Sequence, residues 1–312
     1  MTAPGTTPGS GKAAVRIVAA AIVLGICGAS SEPATTAAPA GSALSAPPAQ
    51  AVPAPAQTAL GGIKYAGKLT QGGWLRGIAP PGTRSVTLDS TPLVLAPDGG
   101  FFAAFDRDAP PSVNLTATAA EGFTLSVPLA IAPRSWRIES INVAKRPGKL
   151  PDAAFKAARE AEMAQIRAAR AKGSLAEGWR QMMIWPATGR ISGLFGAQRI
   201  YRGEAGAYHA GVDLAAPQGA PILAPAGGTV VLAAAGAPFT LEGHLLILDH
   251  GMGLNSAFLH CSDLVVHEGD RVVQGQLLGH VGMTGRATGP HLHWALTWQG
   301  RRLDPQLFAP RA

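Results

Sequence analysis

Along the chain, the spacing of apolar and polar residues changes character several times. Residues 17–27 are uninterruptedly apolar. A polar, glycine-rich start with Lys12 and Arg16 precedes them, and the small residues Gly28, Ala29 and Ser30 follow. The run falls short of the roughly 20 residues of a membrane span. Its order of basic, apolar and small residues is that of a secretory signal, so residues 1–30 are expected to be a signal peptide, with an uncleaved anchor as the alternative. Residues 31–60 are almost entirely Ala, Pro, Ser and Thr without period, the composition of a solvated linker. Over residues 61–135 short alternations take over, at 85–88, 93–95, 101–105, 113–117 and 123–129. Pro97-Asp98-Gly99-Gly100 reads as a hairpin turn between two of them. This predicts a small β-sandwich-like domain acting as spacer or docking module.

A helical period follows at 151–173. Asp152 is a natural N-cap, and the pattern runs to about Lys172 before Gly173. Phe155, Met163 and Ile166 form one apolar stripe, with Lys156, Arg159, Glu160, Arg167 and Arg170 expected to face elsewhere. The stripe is narrow for an interfacial membrane helix and suits packing on a neighbouring domain. From residue 184 to 312 the text becomes short strands broken by glycine, notably at 227–232, 245–248 and 271–279. The predicted fold class is therefore mainly β: a C-terminal antiparallel β domain over 184–312, preceded by a helix and the small sandwich.

Composition adds two constraints. The net charge is +7, to which Lys12 and Arg16 contribute, and no basic patch interleaved with aromatics suggests a nucleic-acid partner. A mild basic excess suits an anionic polymer such as cell-wall material. The two cysteines are Cys27 and Cys261. Ile26 stands before Cys27 where a lipoprotein signal has a small residue, so lipidation is not expected. Signal cleavage would leave Cys261 without a partner, as a buried structural thiol rather than a metal ligand.

All eight histidines lie between positions 209 and 293. His209 and Asp213 are four apart, with Gly211 between them to let the chain bend. His291-Leu292-His293 on a strand puts both rings on one face. Imidazole and carboxylate suit a catalytic Zn²⁺, which takes three protein ligands and keeps one position open. One histidine of such a pair can bind metal while the other handles a proton. His267-Glu268 starts like a zincin motif, but Arg271 ends the match. His250 and His280 suit structural turns, and His244 and His267 ordinary surface or strand-end positions.

The matching text is His209-Ala210-Gly211-Val212-Asp213, Phe258-Leu259-His260 and Gly289-Pro290-His291-Leu292-His293-Trp294, with Asp304-Pro305 closing the segment. In these motifs the region from about residue 184 to 311 resembles the M23 family, the lysostaphin-like zinc metallopeptidases that cut peptidoglycan. The resemblance implies that His209, Asp213 and His293 hold Zn²⁺ and that His260 and His291 are the catalytic, proton-handling residues. It implies an exported, periplasmic endopeptidase acting on peptide stems and cross-links of peptidoglycan. Members often carry Tyr where this chain has Phe258. Relatives that have lost ligands act as activators of other hydrolases, so a non-catalytic peptidoglycan-binding or hydrolase-activating protein is the competing reading. Residues 228–230 and 272–279 also resemble hairpins of biotinyl and lipoyl carriers. Those need a lysine, and none follows Lys172.

Overall fold

The structure, a computed structural model, describes residues 58–60, 62–143 and 152–310. The expected signal peptide and nearly all of the expected linker lie outside the described residues. The first half contains β1 (Thr58–Leu60), β2 (Ile63–Lys68), β3 (Trp74–Ile78), β4 (Thr83–Leu88), β5 (Thr91–Leu93), β6 (Gly100–Ala104), β7 (Ser112–Ala119) and β8 (Thr124–Ala130). They form two four-stranded antiparallel sheets in the orders β1-β2-β3-β6 and β5-β4-β7-β8. Alternation fills the space between the sheets: Val113, Leu115 and Ala117 of β7 and Val86 and Leu88 of β4 are buried with Ile63, Leu75 and Phe101.

Two expectations change. Thr58–Leu60, within the expected linker, pairs with β2, with Ala59 opposite Lys64. Backbone pairing at a sheet edge needs no apolar period. Residues 97–100 do turn, with the Gly99 N–H on the Ala96 carbonyl. They do not close a hairpin, because β5 pairs with β4 while β6 pairs with β3 in the other sheet. The turn is a crossover.

Strand β6 is buried at every residue, although it lies at a sheet edge, because the second half of the chain covers it. Phe102 meets Trp298 edge-on at 6.1 Å and Phe308 at 6.4 Å. Trp74 donates its Nε1–H to the Leu307 carbonyl at 2.9 Å. Arg134 reaches the buried Asp304 carboxylate at 2.7 Å. One core thus runs from the small sheets into the large one without a break.

Next come β9 (Ile138–Ile141), α1 (Asp152–Ala171), β10 (Arg190–Gly193), β11 (Gln198–Tyr201), β12 (Glu204–Ala205), β13 (Val212–Ala215) and β14 (Pro221–Leu223). The chain continues through β15 (Gly228–Phe239), β16 (Gly243–Asp249), β17 (Leu254–Leu264), β18 (Arg271–Val272), β19 (Leu277–Val281), β20 (Leu292–Trp298) and β21 (Arg301–Leu303). The large antiparallel sheet runs β10-β13-β20-β17-β16-β15-β18, with β19 on β17, β14 on β19 and β21 on β20. The expected strand 271–279 is two strands, because β18 pairs with β15 while β19 pairs with β14 and β17. Val212, Leu214, Leu246, Leu248, Leu292 and Trp294 face the shared core. Val231, Leu245, Ile247, Ala257 and Ala295 face the opposite side, where Ile166 and Ala169 of α1 cover them.

Helix α1 matches the expected span, but two of its charges do not face away. Arg159 lies on the packed side, 16% exposed, and pairs with Glu242 at 2.6 Å and with Glu162. Glu162 in turn accepts from the Thr240 N–H and hydroxyl. Arg170 is half-buried beside Ala169. An acceptor far along the chain lets the Arg159 charge sit on a packed face. Among the described residues no helix is long and apolar enough to cross a membrane.

Candidate metal centre

Strand register builds the site. In β13 and β20, Val212 lies opposite Trp294, Asp213 opposite His293, and Leu214 opposite Leu292. Alternation sends the apolar four into the shared core and turns Asp213 and His293 to the other face, the one that α1 covers further along at Ala295. His209 comes from the loop before β13. Its N–H donates to the Ala197 carbonyl at 2.8 Å, and its own carbonyl accepts from Gly196 N–H at 2.9 Å.

Three side chains converge there. His209 Nε2 lies 3.0 Å from Asp213 Oδ1 and 3.0 Å from His293 Nδ1, and His293 Nδ1 lies 2.8 Å from Asp213 Oδ1. Among the described residues this is the one group of three or more His, Cys, Asp or Glu side chains whose ligand atoms all lie within 4.8 Å of one another. His209 Nδ1–H donates to the Leu194 carbonyl at 3.0 Å, so Nε2 is left to face the cluster. Burial alone would raise the Asp213 pKa, but hydrogen bonds and charge from His209 and His293 hold it far below the ordinary carboxylate range. Burial opposes charge on His209 too, and Asp213 outweighs it, raising that pKa. Burial wins at His293, whose pKa is lowered.

The backbone around the cluster leaves no room to spare. Gly193 lies opposite Asp213 on β10, and a Cβ there would stand 2.2 Å from Asp213 Oδ2 and 3.0 Å from His209 Cε1. A Cβ on Gly211 would stand 2.8 Å from His293 Nε2. Two imidazoles and a carboxylate in a glycine cradle fit the donor set of a three-ligand zinc site.

His260 and His291 stand beside this group. β17 has one residue more than β16 between the pairs His244–Cys261 and Leu246–Phe258, a bulge in which His260 takes φ +65°. The His260 N–H is held by the Glu242 carbonyl at 2.8 Å, and Nδ1–H by the Thr284 carbonyl at 2.8 Å. Burial pushes its pKa down to about 4. His291 donates Nδ1–H to the Gly289 carbonyl at 2.8 Å and holds Nε2 3.9 Å from Asp213 Oδ1. The two rings lie 4.8 Å apart, and the His260 and His293 rings 6.4 Å apart. In both residues the carbonyl takes the Nδ1 hydrogen, so that whenever the ring is neutral Nε2 is the acceptor. Sequence alone missed the Leu194, Glu242 and Thr284 carbonyls, since a backbone acceptor leaves no trace in residue identity.

The other histidines are elsewhere. His250 is wholly buried between the Gly227 carbonyl and the Ser256 hydroxyl. His280 pairs with Asp263 at 2.8 Å, His244 meets the Ser262 carbonyl, and His267 is exposed. Cys261 and Phe258 are buried in the shared core.

Residues 207–305 match the family model of Peptidase family M23. A Pseudomonas aeruginosa protein named Lipoprotein NlpD/LppB homolog is 35% identical over 139 residues, 45% of this chain and 42% of that protein. The Vibrio cholerae Peptidoglycan DD-endopeptidase ShyA is 37% identical over 116 residues, 37% of this chain and 26% of that protein. The chain thus spans less than half the length of these curated relatives. A crystal structure of a Pseudomonas aeruginosa protein described as a peptidase M23 superposes with a TM-score of 0.58 at 27% identity, over 77% of this chain and 94% of that one.

Proposed function

This chain belongs to peptidase family M23 through residues 207–305, and from that premise we propose that it is an exported zinc endopeptidase cutting peptide cross-links of peptidoglycan. The observation that carries the reading is the convergence of His209, Asp213 and His293 on one sheet face, with His260 and His291 beside them. His209, Asp213 and His293 would hold the ion. Bound Zn²⁺ supplies a Lewis acid that acidifies water and polarises a carbonyl. His260 and His291, each with Nδ1–H anchored on a carbonyl, present Nε2 to take a proton and to return it to the departing amine. Burial of His260 favours the neutral, proton-accepting form.

The substrate reading leans on the relatives. A peptidoglycan DD-endopeptidase is among them, which supports the D-Ala to diaminopimelate cross-link as the bond cut. The order of residues 1–30 supports export to the periplasm. The domain plan proposed is a catalytic unit at 184–312 buttressed by the helix and by the upstream β domain. Digestion of purified sacculi, followed by mass spectrometry of the fragments, tests the reading. Release of cross-link cleavage products that stops on chelation and returns with zinc is the expected result. Zinc binding without any cleavage would favour the binding or activator alternative.

A further inference from the structure

Arg107, just after β6 in the upstream β half, is one of the few charged side chains buried among the described residues, at 7% exposure. Its guanidinium reaches across to the segment that carries His209. Nε and Nη2 donate to the Gly196 carbonyl at 3.3 and 3.2 Å, and Nη2 also to Gln198 Oε1 at 3.2 Å. Nη1 donates to Asp108 at 2.9 Å. The guanidinium lies over the rings of Tyr208, 4.6 Å from its centroid, and Trp136, 5.3 Å away. Tyr208 is the residue before His209, and Trp136 packs against Phe195 and Gly196.

The residues held are those that orient the histidine. Leu194 accepts His209 Nδ1–H, Gly196 N–H donates to the His209 carbonyl, and Ala197 accepts the His209 N–H. Gln198, besides accepting from Arg107, donates to the Gly206 carbonyl at 2.8 Å, tying the far side of the same loop. Strand β9 pairs in parallel with β11 immediately after it. A guanidinium suits this place because its planar fork meets a carbonyl with two donors and stacks on rings at once, which an ammonium does not do.

We propose that Arg107 is a positioning residue of the metal centre: it fixes the 194–197 turn, and through that turn the orientation of His209. The upstream β half is then part of the scaffold of the site and not a spacer. This rests on the reading of His209 as a zinc ligand. Docking of the two halves also rests on other residues, Trp74 and Phe102 against Trp298, Leu307 and Phe308.

The test uses the full chain with Arg107→Gln, Arg107→Lys, Gln198→Ala and Phe102→Leu. Zinc affinity is measured by chelator competition, and melting is followed in the zinc-free form. Outer-shell partners of metal ligands typically contribute 10–100-fold in affinity, so both Arg107 variants should bind zinc about tenfold more weakly. Phe102→Leu should melt lower yet bind zinc as the wild type does. Gln198→Ala, which removes an acceptor and keeps the cation, should show a smaller loosening and serves should the Arg107 variants not fold. Wild-type affinity in the Arg107 or Gln198 variants overturns the proposal. So does equal loosening by Phe102→Leu, which would make docking the cause. Wild-type protein that fails to bind zinc defeats the ligand reading itself, a result told apart from these by the unmutated chain.

Discussion

Gly193→Ala probes the proposed metal centre without touching a proposed ligand. The new Cβ would stand 2.2 Å from Asp213 Oδ2, whereas ordinary contact begins near 3.4 Å. Gly193 and Asp213 are paired across β10 and β13, so the backbones cannot part cheaply, and the carboxylate has to retreat by about 1 Å. Ligand distances in metal sites hold to about 0.2 Å, so a retreat of that size removes Asp213 from coordination. Loss should exceed the upper end of outer-shell effects, at least about 100-fold in zinc affinity or about 2.7 kcal/mol. Gly193 has no left-handed backbone, so alanine is tolerated there conformationally. Chelator competition on purified protein reads the effect, with Gly236→Ala as the control, since nothing lies within 4 Å of a Cβ at that position. Wild-type zinc affinity in Gly193→Ala would refute the reasoning, as would an equal loss in Gly236→Ala.

Asp213→Ala should lose most of its zinc by elemental analysis, since two histidines make a poor site; full occupancy would remove Asp213 from the ligand set. His260→Ala and His291→Ala should keep zinc and lose about 10²–10⁴-fold in cleavage rate, the usual contribution of a general acid or base. A metal-free variant, or one with wild-type turnover, would reassign that residue. His250 is buried neutral with its pKa lowered to about 4. The unfolded chain takes up this proton near pH 6.5, so the contribution to stability is complete above pH 6.5 and is lost as pH falls through 4, about 3 kcal/mol in all. Denaturant titrations should show wild type losing that much more than His250→Gln across this window; parallel losses would count against it.

The candidate cluster was legible in the sequence because it lies in side-chain identity at short spacing: His209 with Asp213, and His291 with His293. The strand period also gave the sheets their faces. Partners far along the chain were not legible. Arg107 meets Gly196 across 89 residues, and Arg159 meets Glu242 across 83. Glu162, three residues on, is a local acceptor for Arg159, but nothing near it in the sequence announces Glu242, so its charge reads as solvent-facing. Residues 97–100 signal a reversal, yet turn chemistry does not name the sheet that the next strand will join. The left-handed backbone of His260 was hidden for a related reason, since a bulge depends on the register of β16 against β17.

The aromatic seam bears on how such a chain can be inherited. Where two halves meet through a linker, recombination can trade one of them and leave the other intact. Here a joint anywhere between β8 and β10 would expose Trp74 and Phe102 on one fragment and Trp298 and Phe308 on the other, all nearly fully buried in the whole chain. Each such side chain forfeits roughly 1.5–3 kcal/mol when bared to water, so a few of them rival the stability of a whole domain. An exchanged half would need a matching aromatic surface from its first generation.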